Sequence, residues 1–369
     1  MSDDVNAQID EFLAKTLEMD GKEVRERVPW NTEASEDAIR HFAYGTDDAN
    51  PLWTDPKYAA KSRHKTLAAP PAFFVSVLYP ILHGAPMEVP LSSLIGGVEC
   101  EWHKPVLAGD KLRAASVQKS TFEKKSKGDG RRLIFVISEC TYWNQNDEVV
   151  AKATGTMIRA TQIGDQLMLD RSIHKIGDEE LKEVEAGYRA EKITGAETRH
   201  WEDVSVDEEL PPIIRGPLTI GDMVAWNAAL GPSYRAGRLG YLDLLKAPHN
   251  AVTIPQLGFP VKNSQQHEDA NIAAGRGMPG PFDNGVMRFA WACPFVTNWM
   301  GDDGSLKKCA VQVRKPGIYG DIFRYAGKVT EKSREGGDAI VKVEFTGTNQ
   351  SGEVASTGAA EVILPLRNA

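Results

Sequence analysis

A chain of 369 residues is long for a single core, and with 41% hydrophobic and 25% charged residues it has the composition of an ordinary soluble globular protein, for which two domains are expected. A net charge of −8 excludes a general nucleic-acid binder, because neutralising phosphates takes a concentrated basic surface.

The N-terminus, Met1-Ser2-Asp3-Asp4, is acidic and lacks the basic-then-apolar layout of a secretion signal. Ile9, Phe12, Leu13 and Leu17 make an apolar stripe that predicts a docked helix in a leading segment, 1–30. An amphipathic helix follows near Asp37, and a further helix begins at Asp55, placed as its N-cap. Leu67 to Leu82 is apolar but interrupted by Pro70, Pro71 and Pro80, so it reads as a buried helix and not a membrane span. Lys124, Lys125, Lys127, Arg131 and Arg132 surround Gly128-Asp129-Gly130 and predict an exposed hairpin tip. Leu133 to Trp143 is an apolar, β-branched and aromatic strand. Residues 161–196 carry charge and glycine and read as a linker, helical around Glu179 to Arg189. The cysteines Cys100, Cys140, Cys293 and Cys309 have no C-x-x-C spacing or adjacent histidines, so free buried thiols are expected and no metal site. Reduced thiols and the absence of a signal both point to the cytoplasm.

The same unit is written twice. Trp53-Thr54-Asp55-Pro56-Lys57-Tyr58-Ala59-Ala60 falls on His267-Glu268-Asp269-Ala270-Asn271-Ile272-Ala273-Ala274 at an offset of 214, which also carries Pro80 onto Pro294. Lys104-Pro105 falls on Lys315-Pro316 at 211, Asn144-Gln145 on Asn349-Gln350 at 205, and the Asp37 segment on Asp222 at 185. The units are therefore 31–160 and 197–369, the second with about 29 extra residues before His267, richest from Pro232 to Leu257 and containing Tyr234, Arg235, Arg238 and Tyr241. That insertion is either a surface excursion over a channel mouth or a specificity loop for a bulky acyl group. Proline at Pro80 and Pro294 is expected to end or kink each central helix. Gly275-Arg276-Gly277-Met278-Pro279-Gly280 spells G-x-G-x-x-G, but a helix precedes it and Pro279 interrupts it, so a nucleotide site is not expected.

The segment Asp47-Asp48-Ala49-Asn50-Pro51-Leu52-Trp53 resembles the Gly-Asp-x-Asn-Pro-(Ile/Leu)-His motif of MaoC-like hydratases, with Asp47 in place of the Gly and Trp53 in place of the His. The first half, including Ala69-Pro70-Pro71, is similar to the dehydratase domains that resemble part of fungal-type fatty acid synthase. The resemblance covers roughly 31–160 and, more weakly, 197–366. It implies an α+β double hot-dog fold, an antiparallel sheet wrapped around two long central helices. It also implies a His and an Asp that activate water at an enoyl thioester, and a backbone N–H at the start of the central helix that holds the thioester oxygen. Hydration needs those three functions in any case.

The repeat assigns the chemistry to the second half. Trp53 cannot act as a base, and Pro71, aligned with Gly285, has no N–H to donate. His267 stands at the motif's histidine and Gly285 at the donor, although the motif's Asp is replaced by Lys262. The carboxylate partner is then Asp283 or Asp222, with Asp283 preferred, while Asp269 reads as a helix cap. His267 as a cap histidine is the plainer alternative. Catalysis is thus expected from His267, Asp283 and Gly285, and substrate contacts from Asn284, Arg288, Trp53, Lys124 and Lys125. Arg288 is either paired inside the core or aimed at an acidic substrate, and Lys124 and Lys125 either decorate the hairpin or meet coenzyme A phosphates. The remaining histidines, His41, His64, His83, His103, His174, His200 and His249, read as structural. The expected activity is an enoyl-CoA hydratase or 3-hydroxyacyl-CoA dehydratase without cofactor. A hot-dog thioesterase and a non-catalytic acyl-thioester-binding subunit are the alternatives. The expected partners are an acyl-CoA and a second copy or related hot-dog subunit, with no nucleic acid and no membrane.

Overall fold

A computed structural model describes residues 3–24, 30–127, 130–161, 169, 171–231 and 235–367. The leading helix α1, Asp3–Leu17, buries Ile9 and Phe12 completely, while Leu17 at its end stays exposed. After the two-residue strand β1, Glu23–Val24, come α2, Glu36–Gly45, and the short helices α3, Pro51–Thr54, and α4, Pro56–Ala59. Asp55 caps α4 as expected, accepting from the Lys57 and Tyr58 amides. A turn of 3-10 helix, Pro71–Phe73, leads into α5, Phe74–Val77. The strands β2, Leu91–Trp102, β3, Arg113–Lys125, β4, Arg132–Trp143, and β5, Val149–Thr161, complete the first unit.

The linker contains α6, Asp178–Ala190, and the second unit opens with β6, Ile213–Arg215, and α7, Ile220–Leu230. Its insertion forms α8, Gly237–Lys246, and a hairpin of β7, Ala251–Ile254, with β8, Phe259–Lys262; Pro232 and Tyr234 lie outside the described residues. Tyr241 packs on Phe259 at 5.3 Å between ring centroids, which ties helix to hairpin. Then come α9, Ala270–Ala274, the central helix α10, Gly285–Met300, and β9, Ser305–Val313, β10, Phe323–Glu335, β11, Asp338–Asn349, and β12, Val354–Ile363.

Ten strands form one antiparallel sheet in the order β1, β3, β4, β5, β2, β9, β12, β11, β10, β6. Read outward from the β2–β9 seam, the two halves repeat each other strand for strand. The offset of 211 carries Glu99 onto Ala310, and these two residues sit opposite each other across the seam. An antiparallel pair in which a residue faces its own counterpart marks a two-fold axis, so the repeat in the chain is a rotation in space. Helices α2 and α7, the other matched pair, cross so closely that a Cβ on Gly45 would come within 2.4 Å of the Ala229 Cβ.

The expectation of two long central helices is corrected. Only α10 is long, at 16 residues, and it continues through Pro294 without ending there. In the first unit the helix stops at Val77, and Leu78 is already extended. Pro80 has no N–H to continue it. The buried segment beyond instead gives its carbonyls to the sheet: the Tyr142 hydroxyl donates to Leu78 O at 2.6 Å, and the Ser138 hydroxyl donates to Pro80 O. Gly155 makes this contact possible, since a Cβ there would lie 2.0 Å from Pro80 O. Gly155→Ala is therefore expected to destabilise the chain by roughly 1–3 kcal/mol, as overpacking does, read as a shift in the urea midpoint.

All four cysteines are free and buried. Among the described residues no helix is long and apolar enough to cross a membrane.

Candidate active site

Strand β8 runs into a turn of 3-10 helix, Asn263–His267, that delivers His267 beside the start of α10. The half-buried imidazole stands edge-on to Phe282, 4.8 Å between centroids, and its Nδ1 lies 2.8 Å from the Phe282 carbonyl oxygen. A carbonyl can only accept, so Nδ1 carries the proton and Nε2 keeps its lone pair. Burial lowers the His267 pKa below the ordinary histidine value of 6.5, against the opposing pull of the Phe282 carbonyl and the Asp283 charge. At neutral pH the ring is neutral, with a basic nitrogen free.

The start of α10 is built by Asn284, whose side-chain oxygen accepts from the Val286 amide at 3.1 Å and from the Tyr79 hydroxyl. The Met287 amide returns to Asn284 O at 2.8 Å. Among the described residues the Gly285 N–H has no acceptor, so it is left for a ligand at the positive end of the helix. Glycine is required there for packing, because a Cβ would meet the Ile95 Cβ at 2.8 Å on β2. Asn284, expected as a substrate contact, is thus the helix cap, and Tyr79, reaching across from the first unit to hold it, was not anticipated.

Asp283 does not partner His267. Its Oδ1 accepts the Gly317 amide at 2.6 Å and its Oδ2 accepts the Arg288 Nε–H, both partners being buried. Arg288, fully buried, lies over the Phe323 ring at 3.5 Å and is a core residue and not a contact for an acidic substrate. Asp222 closes a capping box with Thr219 at the exposed start of α7. Asp269 caps α9, as expected. Where the motif's pattern would lead one to expect a carboxylate, His267 Nδ1 meets a backbone carbonyl. Lys124 and Lys125 are exposed at the end of β3. Lys124 shares a cross-strand row with Leu133, Ala160 and Ser92, three strand spacings or roughly 14 Å from β2. They stand at the same end of the sheet as Gly285 without lining the site.

The first unit keeps the architecture with Trp53 in place of the histidine. The Trp53 indole N–H donates to Asp48 at 2.8 Å, so the residue that stands for the histidine still holds the motif's carboxylate. Asn50 caps α3 and donates to Asp302 at 3.1 Å. Burial raises the Asp48 pKa from 3.8 to about 6. A carboxyl that binds its proton more tightly in the folded chain contributes its full stability below the unfolded pKa and loses it as pH rises through the folded one. Asp48→Asn, which keeps an acceptor for Trp53, is accordingly expected to stabilise the chain at neutral pH by on the order of 3 kcal/mol and to do little near pH 4. Urea unfolding at the two pH values checks it; equal effects at both would contradict the assignment.

At this end a cavity of about 250 Å³ opens between Trp53, Pro71, Phe74, Trp102, Leu306 and Met300. It is the counterpart of the His267 position, since Leu306 is Ile95 carried by the offset of 211. Thr297 and Met300 place it at the far end of α10 from Gly285, a helix length of roughly 24 Å.

A structure of a MaoC-like dehydratase superposes on 95% of this chain and 100% of its own length with a TM-score of 0.65 at 16% identity. The chain has the MaoC-like double hot-dog fold. A protein of Mycobacterium tuberculosis described as having a double hot-dog fold superposes with a TM-score of 0.57 at 9% identity, over 94% of this chain and 96% of that one. Residues 21–153 of the double hot-dog match the FAS1-like dehydratase domain region. A UPF0336 protein of Streptomyces avermitilis is 26% identical over 137 residues, which span 36% of this chain and 88% of the relative. The family-model match thus falls in the unit that has Trp53 at the histidine position.

Proposed function

We propose that this double hot-dog is an enoyl-thioester hydratase or 3-hydroxyacyl-thioester dehydratase acting on a coenzyme A ester, with its chemistry confined to the second unit. The observation that carries the proposal is that His267 Nε2 and the Gly285 N–H at the start of α10 both have no partner among the described residues. In the hydration direction Nε2 takes a proton from water as the oxygen bonds to C3 of the enoyl group. Negative charge moves to the thioester oxygen, where the Gly285 N–H and the helix dipole stabilise it. With Asp283 committed to Arg288, the same imidazolium returns its proton to C2. The match to a dehydratase region and the fold shared with a MaoC-like dehydratase support this reading.

The insertion joins the site directly, because β8 ends at Lys262 and the His267 turn follows it. It is assigned the role of a specificity element for the acyl group, and Lys124 and Lys125 that of meeting the carrier's phosphates. The chain is placed in the cytoplasm, as a homodimer or with a related hot-dog subunit.

Incubation of the purified protein with crotonyl-CoA tests the reaction class. Loss of the enoyl absorbance without free thiol is the expected result. Thiol release would identify a thioesterase, and no change in either would leave a binding subunit.

A further inference from the structure

We propose that the insertion of the second unit is a docking element that seats the chain on an anionic lipid surface, through the outer face of α8 and the tip of the β7–β8 hairpin. Among the described residues sixteen large hydrophobic side chains are exposed, and six of them fall between Leu239 and Phe259. They are Leu239, Tyr241, Leu242, Leu245, Leu257 and Phe259, with Leu257 at the hairpin turn 69% exposed. Of the large hydrophobics in α8 and the hairpin only Leu244 and Ile254 are buried. The element therefore turns its apolar residues outward, where a concentration of this kind marks an interaction surface and scattered single residues would not. Leu239, Leu242 and Leu245 recur at every third position and make one stripe along the helix, and the Tyr241–Phe259 contact joins that stripe to the hairpin.

Charge selects the occupant. Residues 235–262 hold four cations, Arg235, Arg238, Lys246 and Lys262, and a single acid, Asp243, in a chain whose net charge is −8. That acid is already matched, by Arg235 at 3.1 Å and Lys246 at 3.7 Å. Arg238 and Lys262 have no ionic partner among the described residues. Arg238 and Lys246 flank the leucine stripe on the exposed face of α8, the layout in which apolar side chains enter a bilayer while cations at their edge meet acidic headgroups. A helix face and a hairpin tip are projecting surfaces, which a lipid layer accepts without a matching shape. The expectation of no membrane partner rested on the absence of a spanning run, which says nothing of a surface element. His267 follows the end of β8 by five residues, so docking here sets the candidate site beside the bilayer, into which acyl chains partition.

Flotation of the full chain with vesicles of phosphatidylcholine containing phosphatidylserine, beside vesicles of phosphatidylcholine alone, tests the surface. Binding is expected to the first, to weaken as salt is raised, and to be much lower on the second. Arg238→Gln with Lys246→Gln is expected to weaken binding by about tenfold or more, and Leu242→Gln with Leu245→Gln to abolish it. All four positions are exposed, and unchanged urea midpoints check that the fold is kept. Tyr44→Gln, an exposed hydrophobic outside the insertion, and His267→Ala are expected to float as the parent does, so the result stands apart from whether the second unit is catalytic. Equal binding to both vesicles, no binding to either, or binding that survives both double variants would overturn the proposal. So would sedimentation showing a dimer that Leu242→Gln with Leu245→Gln dissolves, since a second copy would then cover the face.

Discussion

His267→Ala is expected to lower hydration of crotonyl-CoA by ~10²-fold or more while the chain stays folded, the usual cost of removing a general base. The loss should fall on kcat, since the ring acts on water and does not bind the carrier. The parent's acid limb adds a second readout. Burial holds the His267 pKa below 6.5, so kcat/KM should stay level down to a pH lower than an exposed histidine would allow, and then fall as Nε2 takes up a proton. Stopped assays over a pH series check both. An acid limb above the ordinary histidine value, or full activity in His267→Ala, would remove the imidazole from the mechanism.

Asp283→Ala is expected to cost about 3–5 kcal/mol of stability, because it leaves the Arg288 guanidinium buried without its anion. Arg288 is in a poor position to absorb the loss: its Nη1 and Nη2 already lack hydrogen-bond partners among the described residues, and its side chain is fully buried. Replacing both members with uncharged residues, Asp283→Asn together with Arg288→Met, should recover most of that stability, as it does where a buried pair is removed whole. Urea midpoints of the two single variants and the double variant give the answer. If Asp283 instead orients His267, Asp283→Asn will fold as the parent does and lose turnover, and Arg288→Met will not rescue it.

Much of the fold was legible from the repeat. Offsets of 211 and 214 place the Glu99–Ala310 axis, the caps at Asp55 and Asp269, and the equivalence of Pro71 and Gly285. The shortened first helix was harder to read, because Leu67 to Leu82 has the apolar content of a buried helix. What ends it is the demand of Tyr142, Ser138 and Gly155 for an extended strap, contacts made from strands more than fifty residues away. At the site, the position of His267 followed from alignment, but its partner did not. A lone arginine in the apolar Gly285–Met300 helix left open whether it was paired inside the core or aimed at a substrate, and the acid that pairs with it is Asp283, five residues before it, the carboxylate that the alignment had preferred for His267. Tyr79 and the Phe282 carbonyl carry no signal in the sequence, since one acts across the two units and the other is backbone. Nor does the cavity, whose walls come from both units and depend on how side chains fill space.

The claim that one unit is catalytic and the other silent is tested most directly by comparing kcat/KM for crotonyl-CoA in His267→Ala and Trp53→Phe. These residues occupy equivalent positions 214 apart. The account predicts a fall of ~10²-fold or more for His267→Ala and a change within a small factor for Trp53→Phe, which loses one indole hydrogen bond but no acid–base group. A fall of ~10³-fold in Trp53→Phe with little change in His267→Ala would place the chemistry in the first unit and contradict it.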